Sequence, residues 1–386
     1  MINPLETKIF DHIFSSPIFL ASGTLVQHFE DIDKFINAGV GAVIPRSTRK
    51  EMIRKLQPSP CLYQSGGYGN EFMVNAEWTG LDIDYWQPYL EKLSNTGKVI
   101  MSVSGRDIKG CVDVCRIIDE YDFPLIEINV SCAHSNSIFG FINRNGDHIS
   151  KLVKSIKDAG VGIPISIKLG HSDFIVELAS KAKESGADAI TAINSFGPVF
   201  DFSIDNLGGP RPVVGIENAK GGLSGAPLFN IALTDVAEIK RQLKIPVLGC
   251  GGVRSAEDVV KMLMAGASAV EIYTAAHIRG HDAPSFFKNL NDELASYLKS
   301  KSIKDVSSIV GKALPLLDQK TNLTKLVPTI CLKDCTGCNK CVRICLPGAI
   351  KEANKAENRF TAKIDGKVCN GCGNCVSVCP FNAIKL

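Results

Sequence analysis

Short apolar segments that end in small or polar residues recur along the first three quarters of the chain. Eight of them have the length of strands and lie at positions 16–23, 41–47, 98–104, 125–132, 163–170, 189–195, 246–252 and 269–275. Apolar residues at helical spacing lie between most of them, for example at 29–38, 174–185, 228–243 and 256–265. This alternation predicts an α/β fold, either a parallel (β/α)8 TIM barrel or an open doubly wound sheet. The repeated polar strand ends favour the barrel, in which catalytic groups lie at the carboxyl ends of the strands.

The fourth predicted strand ends in the densest group of chemically active residues in the chain. Asn129, Ser131, Cys132 and His134 follow its apolar part within six positions. Cys132 is either a buried structural thiol or, at a strand end beneath a flexible loop, a proton carrier, and the second interpretation is favoured. His134 could assist catalysis, bind substrate or cap the loop. Glu127, inside the strand, is expected to face the barrel interior and to be paired there.

An insertion rich in glycine and aromatic residues separates the second and third predicted strands, at about 49–96. It contains Asn75 and Glu77, which are side chains suited to hydrogen bonding. A loop of this length within a domain is usually functional or disordered, and its aromatic content argues against disorder. We therefore expect a functional loop.

The composition narrows the classes of protein that remain. The chain has 386 residues, is 45% hydrophobic and carries a net charge of only +3, without a long charged run. This balance gives no reason to expect a nucleic acid or an anionic membrane as a partner. We see no signal peptide at the start of the sequence and no apolar run of transmembrane length, so a cytoplasmic location is expected.

Nine of the fourteen cysteines lie after position 330. Eight form two runs with the spacing of bacterial ferredoxins, in which the fourth cysteine of each run ligates the other cluster. The two [4Fe–4S] clusters are accordingly assigned to Cys335, Cys338, Cys341 and Cys379, and to Cys369, Cys372, Cys375 and Cys345. The alternative is a pair of structural zinc sites, which rarely repeat four cysteines at this spacing. Cys331 fits neither run and is interpreted as a bystander.

The change in composition also predicts the domain boundaries. We expect a barrel at 1–311, a linker at 312–327 and a small α+β ferredoxin-like domain at 328–386. Cys250 is expected in the barrel core or lining, and Cys111 and Cys115 are expected to pack as apolar residues on a helix.

Clusters of this type relay single electrons, so the barrel needs a group that also handles electron pairs, such as a flavin. Gly251 and Gly252 after the seventh strand, and Tyr273 and Thr274 at the eighth, could form the phosphate cradle that barrels build there. The glycine-rich segment 221–225 could add backbone donors. Lys168 is a cation suited to the N1–C2=O edge of a reduced flavin. There is no Gly-x-Gly-x-x-Gly between a strand and a helix, hence no sign of a dinucleotide-binding domain.

These motifs together resemble those of the class 1 dihydroorotate dehydrogenases. They are most similar to the flavin-containing part of dihydropyrimidine dehydrogenases, including the bacterial catalytic subunit with a C-terminal ferredoxin domain. The motifs are Ala21-Ser22-Gly23, Asn75-x-Glu77, Asn129-Val130-Ser131-Cys132-x-His134, Lys168, Asn194-Ser195, Gly221-Gly222-Leu223-Ser224-Gly225 and Gly251-Gly252.

The resemblance implies FMN as the barrel cofactor and a pyrimidine as substrate. The implied FMN-binding residues are Ala21, Ser22, Gly23, Arg46, Ser47, Asn129, Lys168, Asn194, Ser224, Gly225, Gly251, Gly252, Tyr273 and Thr274. The implied substrate-binding residues are Asn75, Glu77, Asn129, His134, Asn194 and Ser195. Cys132 would exchange a proton with the ring carbon beside the one that exchanges hydride.

Two positions depart from the family pattern. Arg46 stands where the family usually has Lys, which keeps the charge on a bulkier, forked group that could instead bind an acidic substituent of the substrate. Tyr273 stands where the orotate enzymes usually have Gly, and its ring could crowd the phosphate.

The favoured hypothesis is an iron–sulfur flavoenzyme that interconverts a uracil- or thymine-like base and its 5,6-dihydro form. One alternative is a dihydroorotate dehydrogenase that passes electrons out through its clusters, with Arg46 on the orotate carboxylate. Another is an electron-transfer subunit of a larger oxidoreductase. The expected electron partner is a separate FAD/NAD(P)H subunit or a ferredoxin, and the resemblance suggests a homo-dimer or a hetero-oligomer.

Overall fold

The computed structural model describes residues 3–51, 61–64, 71–75, 81–105, 107–131, 145–200, 202–203, 211–212, 220–318, 325–356 and 359–386. The chain divides into two compact units, Met1–Leu317 and Asp318–Leu386. The segment expected as a linker begins inside the first unit, because the backbone N–H of Ala313 donates to the carbonyl of Met264 at 2.8 Å.

Eight parallel strands form the centre of the first unit. They are β1 (Ile18–Leu20), β2 (Ala42–Val43), β3 (Met101–Val103), β4 (Ile126–Asn129), β5 (Ile165–Leu169), β6 (Ala189–Ala192), β7 (Val247–Cys250) and β8 (Ala269–Ile272). Their spatial order is β2-β1-β8-β7-β6-β5-β4-β3, and parallel bridges from Val43 to Val99 and from Thr48 to Val103 join the two outer strands of this order. The sheet therefore closes on itself, which confirms the TIM barrel and excludes the open sheet.

Helices follow the strands, and several begin at a residue whose side chain caps the helix. The Asp107 carboxylate accepts from the N–H of Gly110, and the Ser255 hydroxyl accepts from that of Asp258, so each satisfies a backbone donor of a first turn. The main helices are α1 (Ile32–Asn37), α2 (Leu90–Ser94), α3 (Ile108–Ile118), α4 (Gly146–Asp158), α5 (Ile175–Glu184), α6 (Phe229–Leu243), α7 (Ala256–Met264) and α8 (Ala283–Ser300).

Alternate residues of each strand belong to two different hydrophobic clusters. Those that face outward pack with the helices, and they include Ile18, Leu20, Met101, Val103, Ile126, Ile128, Ile165, Ile167, Val247, Val270 and Ile272. Those that face inward form a smaller cluster of Phe19, Ala42, Ile44, Ile100, Leu125, Leu248 and Ala269. This two-residue period is that of a strand buried on both faces.

An antiparallel hairpin covers the inner cluster from the amino-terminal side of the barrel. It pairs Thr7–Ile9 with His12–Phe14, and the Phe14 ring lies 4.8 Å from that of Phe19. Phe14 is only 2% exposed. The hairpin thus supplies the apolar surface that the short barrel strands leave uncovered at this end.

The insertion between β2 and β3 is not a single long loop, contrary to the sequence-based expectation. Its second half is helical, at Ile83–Trp86 and α2, because Ile83, Trp86, Leu90 and Leu93 have helical spacing and are buried. Its first half contributes two strands to a four-stranded antiparallel sheet, in the order Phe196–Phe200, Lys220–Gly225, Glu71–Asn75 and Cys61–Gln64. A further short pair joins Phe202–Ser203 to Arg211–Pro212.

The second unit is an α+β domain with the repeated layout that its cysteine runs predict. Thr329–Ile330 pairs with Ile384–Lys385, and Ile350–Ala356 pairs with Arg359–Ile364. Two short helices, Lys340–Ile344 and Asn374–Ser377, each contain the third cysteine of a run, Cys341 and Cys375 respectively. Within the parts of the chain described above, no helix combines the length and the apolar character needed to span a membrane.

Candidate active site

Polar side chains from the ends of β2, β4 and β6 meet in one hydrogen-bonded group. The side-chain amide of Asn194 donates to Asn129 Oδ1 at 3.1 Å and to Ser131 Oγ at 3.1 Å. Asn129 Nδ2 donates to Ser47 Oγ at 3.2 Å, and the Ser131 hydroxyl donates to the backbone carbonyl of Lys168 at 2.8 Å. Three predicted site residues, Ser47, Asn129 and Asn194, are therefore adjacent, although up to 147 positions of sequence separate them.

The group orients the two asparagine amides, because each has defined partners. Asn194 Oδ1 also accepts from the backbone N–H of Ser195 at 2.8 Å, and Ser195 lies at the same strand end. Both asparagines are half-buried. Oriented, partly exposed amides at a barrel mouth can present both donors and acceptors to a planar ring.

Lys168 lies inside the barrel and is bound by two carboxylates. Its Nζ is 3.3 Å from both oxygens of Glu127 and 2.7 Å from Glu271 Oε2. Burial alone would lower the pKa of Lys168, but the charges of Glu127 and Glu271 raise it above its ordinary value. The prediction that Glu127 faces inward and is paired is confirmed.

Cys250 lines the same interior. Burial raises the pKa of its thiol to about 12, and Lys168 opposes that shift. The thiol is therefore neutral near pH 7, as expected for a residue of the lining. Cys111 and Cys115 are fully buried on α3, which confirms their packing role.

The glycines after β7 lie against the start of α6. Gly252 has a positive φ of 72°, and a Cβ there would lie 2.5 Å from the backbone nitrogen of Phe229. Among the described residues, no side chain caps α6. Thr274 Oγ1 donates to Ser224 Oγ at 3.0 Å, and Ser224 lies in the strand Lys220–Gly225 that precedes this helix. Glycine backbone, an uncapped helix start and two hydroxyls are the donor set that a flavin phosphate requires.

Tyr273 joins the end of β8 to the loop after β1. Its hydroxyl accepts from the backbone N–H of Thr24 at 2.9 Å and is bonded to His277 Nδ1 at 2.8 Å. A Cβ on Gly23 would lie 2.0 Å from this ring, so the ring covers Gly23 directly. Burial raises the pKa of Tyr273, whereas its hydrogen bonds with Thr24 and the charge of Arg46 lower it. Ala21, the start of this loop, bonds to the carbonyl of Ile272 at 3.0 Å, and Ser22 is half-buried.

Several predicted residues lie outside the described part of the chain. Cys132, His134 and Glu77 are among them. Asn75 is described only as backbone, at the end of the strand Glu71–Asn75, and Gly225 pairs with Glu71 across the same sheet.

Four cysteines of the second unit line one cavity: Cys335, Cys338, Cys341 and Cys379. This is the set assigned to the first cluster. Burial and then the charge of Cys372 raise the pKa of Cys375, and Cys345 contributes to the same shift. Cys345 is therefore near Cys375, and its assignment to the second cluster stays a prediction. Backbone N–H groups donate to Cys369 Sγ at 3.4 Å and to Cys379 Sγ at 3.3 Å, contacts typical of iron–sulfur ligands.

Sequence reasoning missed Ser102 and Glu271, and it gave Ser131 no role of its own. Glu271 had a signal, because an acidic residue within the apolar strand Ala269–Ile272 shares its face with Ala269 and must therefore point inward.

The family described as "Dihydroorotate dehydrogenase" matches residues 4–298. The chain belongs to the dihydroorotate dehydrogenase family. The family described as "4Fe-4S dicluster domain" matches residues 334–383, which excludes the zinc alternative. Members of the first family bind FMN, those of the second bind two [4Fe–4S] clusters, and the residues described above fit both kinds of cofactor. The chain is therefore an oxidoreductase that uses FMN and two [4Fe–4S] clusters and acts on a CH–CH bond.

Three curated relatives are each named "Dihydroorotate dehydrogenase B (NAD(+)), catalytic subunit". That of Methanothermobacter thermautotrophicus is 31% identical over 319 residues, that of Pyrococcus horikoshii 32% over 317, and that of Bacteroides thetaiotaomicron 30% over 312. Each match covers 80% of this chain and 98% of the relative. A fifth of this chain therefore has no counterpart in these family members. Their names support the broader resemblance to dihydroorotate dehydrogenases rather than the narrower one to dihydropyrimidine dehydrogenases.

Proposed function

We propose that this flavoenzyme interconverts dihydroorotate and orotate, and that its electrons enter or leave through the two clusters. The observation that carries the proposal is the 30–32% identity to proteins named for dihydroorotate over almost their whole length. Orotate thus replaces a uracil- or thymine-like base as the favoured substrate.

The flavin site is proposed at the carboxyl ends of the strands. Lys168 would face the N1–C2=O edge, with Asn129 and Asn194 beside the ring, and Gly251, Gly252 and the start of α6 would hold the phosphate. The remaining residues of the proposed set are Ala21, Ser22, Gly23, Ser47, Ser224, Gly225, Tyr273 and Thr274, and Arg46 is assigned to the substrate instead. When bound, FMN supplies a two-electron acceptor for hydride, and the clusters supply one-electron relays.

The chain's own residues would orient the substrate and move its proton. The hydrogen bonds from Asn194 to Asn129 and Ser131 leave these amides preorganised for the ring's C=O and N–H groups. Ser195, Asn75, Glu77 and His134 would complete the contacts. Cys132 would take the proton from the ring carbon beside the one that loses hydride, and Arg46 would bind the carboxylate that distinguishes orotate from uracil.

The external electron partner is proposed to be a separate FAD/NAD(P)H subunit or a ferredoxin. The extra fifth of the chain, with its dicluster domain at 334–383, supports this role because the three relatives contain no equivalent. Steady NAD(P)H oxidation by the purified chain alone would contradict it.

The proposal is tested by anaerobic reoxidation of the reduced, cofactor-loaded enzyme with orotate, uracil or thymine added singly. We expect the absorbance of oxidised flavin to return with orotate only. Arg46→Gln should then weaken the response to orotate, and Asn289→Ala, on the exposed face of α8, is the surface control.

A pyrimidine base is the second candidate, because Asn75-x-Glu77 and the appended dicluster domain match the dihydropyrimidine dehydrogenases. Reoxidation by uracil or thymine, with orotate inert, would establish this candidate and refute the first. No response to any of the three would refute both and favour an electron-transfer subunit.

A further inference from the structure

Three charged side chains from different strands meet inside the barrel. Glu127 on β4 and Glu271 on β8 are both bound to Lys168 on β5, and the two acidic side chains are 0% exposed while that of Lys168 is 5% exposed. The contacts are direct, at 2.7 and 3.3 Å. We call these three residues the interior triad.

The interior triad has two acids and one base. With both acids ionised it would bury a net charge of −1, and an uncompensated buried charge costs several kcal/mol, on the order estimated for single buried ions. Among the described residues, the other polar groups that contact the triad or share its inward face are uncharged near pH 7. They are the thiol of Cys250 on β7, the hydroxyl of Ser102 on β3, and the mutually bonded hydroxyls of Ser166, two positions before Lys168, and Thr191. The charge of Arg46, at the end of β2, lowers the pKa of Tyr273 and is not among the main charges that shift the pKa of Lys168 or Glu271. One acid of the triad must therefore hold a proton.

The hydrogen bonds identify which acid holds the proton. Both oxygens of Glu127 contact Lys168 Nζ, and Oε1 also accepts from Ser102 Oγ at 3.2 Å. Among the described residues, Glu271 Oε1 is buried and has no well-aligned hydrogen-bond donor, although the carboxyl of Glu127 and the thiol of Cys250 lie close to Glu271. An ionised oxygen without a donor is more costly than a protonated one. Consistently, burial and then the charge of Glu127 raise the pKa of Glu271 to about 8.

The interior triad is connected to the strand ends by a directed chain of hydrogen bonds. Asn129 donates to Ser47 at 3.2 Å, the hydroxyls of Ser47 and Ser102 are 2.8 Å apart, and Ser102 donates to Glu127. Because the single hydroxyl proton of Ser102 is donated to Glu127, Ser47 must be the donor to Ser102, so each donor in this order points toward Glu127. The charge of the triad is therefore felt at the asparagines of the proposed flavin and substrate site.

We propose that Glu271 is a positioning residue that keeps one proton inside the barrel and so sets the charge that Lys168 presents to the flavin. This inference rests on the proposed placement of Lys168 beside the flavin, not on the identity of the substrate. With the proton in place, the interior triad is neutral. Without it, the interior triad carries a charge of −1, which would oppose the addition of electrons to a flavin bound beside Lys168 and make its midpoint potential more negative.

The test is an anaerobic redox titration of bound FMN in the full, cluster-loaded chain from about pH 6 to about pH 10, a range that brackets the titration of Glu271. Glu271→Gln has the shape of the protonated acid but cannot ionise. We expect the wild-type and Gln potentials to coincide at the acidic end and to separate above about pH 8, with the wild type more negative. Glu177→Gln, which removes an exposed acid on α5, should follow the wild type throughout.

The outcome is decisive in each case, and no substrate is added, so a failure of the orotate proposal does not affect it. Curves that coincide at every pH, or that differ by a constant offset, would overturn the role of the proton. A second measurement is independent of the variants: the infrared carbonyl band of a protonated carboxylic acid should be present in the wild type at neutral pH and disappear above about pH 8. Absence of that band at neutral pH would also overturn the proposal, and a band without any change in potential would refute its link to the flavin.

Discussion

On the inward face of two barrel strands, an apolar side chain is followed two residues later by a charged one. Leu125 precedes Glu127 on one strand, and Ala269 precedes Glu271 on another. The apolar side chains, such as Leu125 and Ala269, stabilise the barrel by burial, about 25 cal/mol for each Å² of apolar surface removed from water. The charged side chains oppose folding unless they are paired, which is why Lys168 contacts both acids.

The raised pKa of Glu271 predicts a pH dependence of stability. Between its ordinary pKa of 4.5 and about 8, the folded chain keeps a proton that the unfolded chain releases. The free energy of unfolding therefore falls as the pH rises through this window. Urea unfolding followed by the fluorescence of Trp86, which is fully buried in the barrel, should show this fall in the wild type and a weaker one in Glu271→Gln. Equal pH dependence in both proteins would contradict the prediction.

Cys132 is predicted to carry the substrate proton. Cys132→Ser exchanges a thiol for a much less acidic hydroxyl, so turnover should fall by about a hundredfold or more, the usual range for a lost acid–base group. Flavin absorbance and iron content should not change. Loss of flavin together with activity would instead indicate a structural thiol, and Cys111→Ser, in the buried face of α3, is the comparison for such a role.

At the scale of elements, turns and helix starts determine where the strand ends can approach a ligand. Gly252 lies against the first residue of α6 with no room for a side chain. At the other end of the barrel, the hairpin Thr7–Phe14 closes the interior, because its apolar side chains cover the inner cluster there.

Gly252→Ala should reduce both stability and FMN affinity. A left-handed backbone costs a non-glycine residue about 1–2 kcal/mol, and the Cβ would in addition displace Phe229. Gly160→Ala separates the two effects, because Gly160 also has a positive φ, of 82°, but has nothing within 4 Å of its Cβ position. Calorimetry and flavin titration should show a larger loss of both quantities for Gly252→Ala, and equal losses would argue against a crowded turn.

Phe14→Ala should destabilise the barrel by about 3–5 kcal/mol, the usual cost of removing a buried phenyl ring. The adjacent Ile13 is 60% exposed, so Ile13→Ala should be nearly neutral. Both variants should keep the flavin spectrum, because the hairpin lies at the end of the barrel opposite the strand ends. Chemical denaturation of the two variants measures the difference, and a small effect of Phe14→Ala would mean that the hairpin does not stabilise the barrel.

At the scale of the whole molecule, the chain joins a unit that handles electron pairs to one that handles single electrons. The two units divide at Leu317, and the dicluster match lies entirely within the second. This division makes the clusters separable from the flavin by mutation.

Cys341→Ser should remove one cluster, halve the iron content and slow electron delivery to a one-electron acceptor, while reduction of FMN by dihydroorotate continues. The reason is that Cys341 lies with Cys335, Cys338 and Cys379 around one cavity. Cys331→Ser is the control, since Cys331 lies outside both runs. Iron analysis and electron paramagnetic resonance measure both variants. Equal iron loss in the two would show that Cys331 is also a ligand.

The sequence by itself determined the features that depend on local pattern. The alternation of apolar segments was sufficient for the eight strands, and the cysteine spacing was sufficient for the dicluster domain, because both signals repeat over a few residues. Local pattern also predicted that Glu127 points inward, since side chains alternate along a strand.

Only the tertiary structure decided which residues meet. Lys168 and Glu271 are 103 positions apart, and their contact depends on the register of strands that close into a barrel. The same holds for Tyr273 against Gly23, and for the strand Glu71–Asn75 beside Lys220–Gly225. Such contacts follow from strand register and barrel closure, which are properties of the whole folded chain and leave no signal in any short stretch of it.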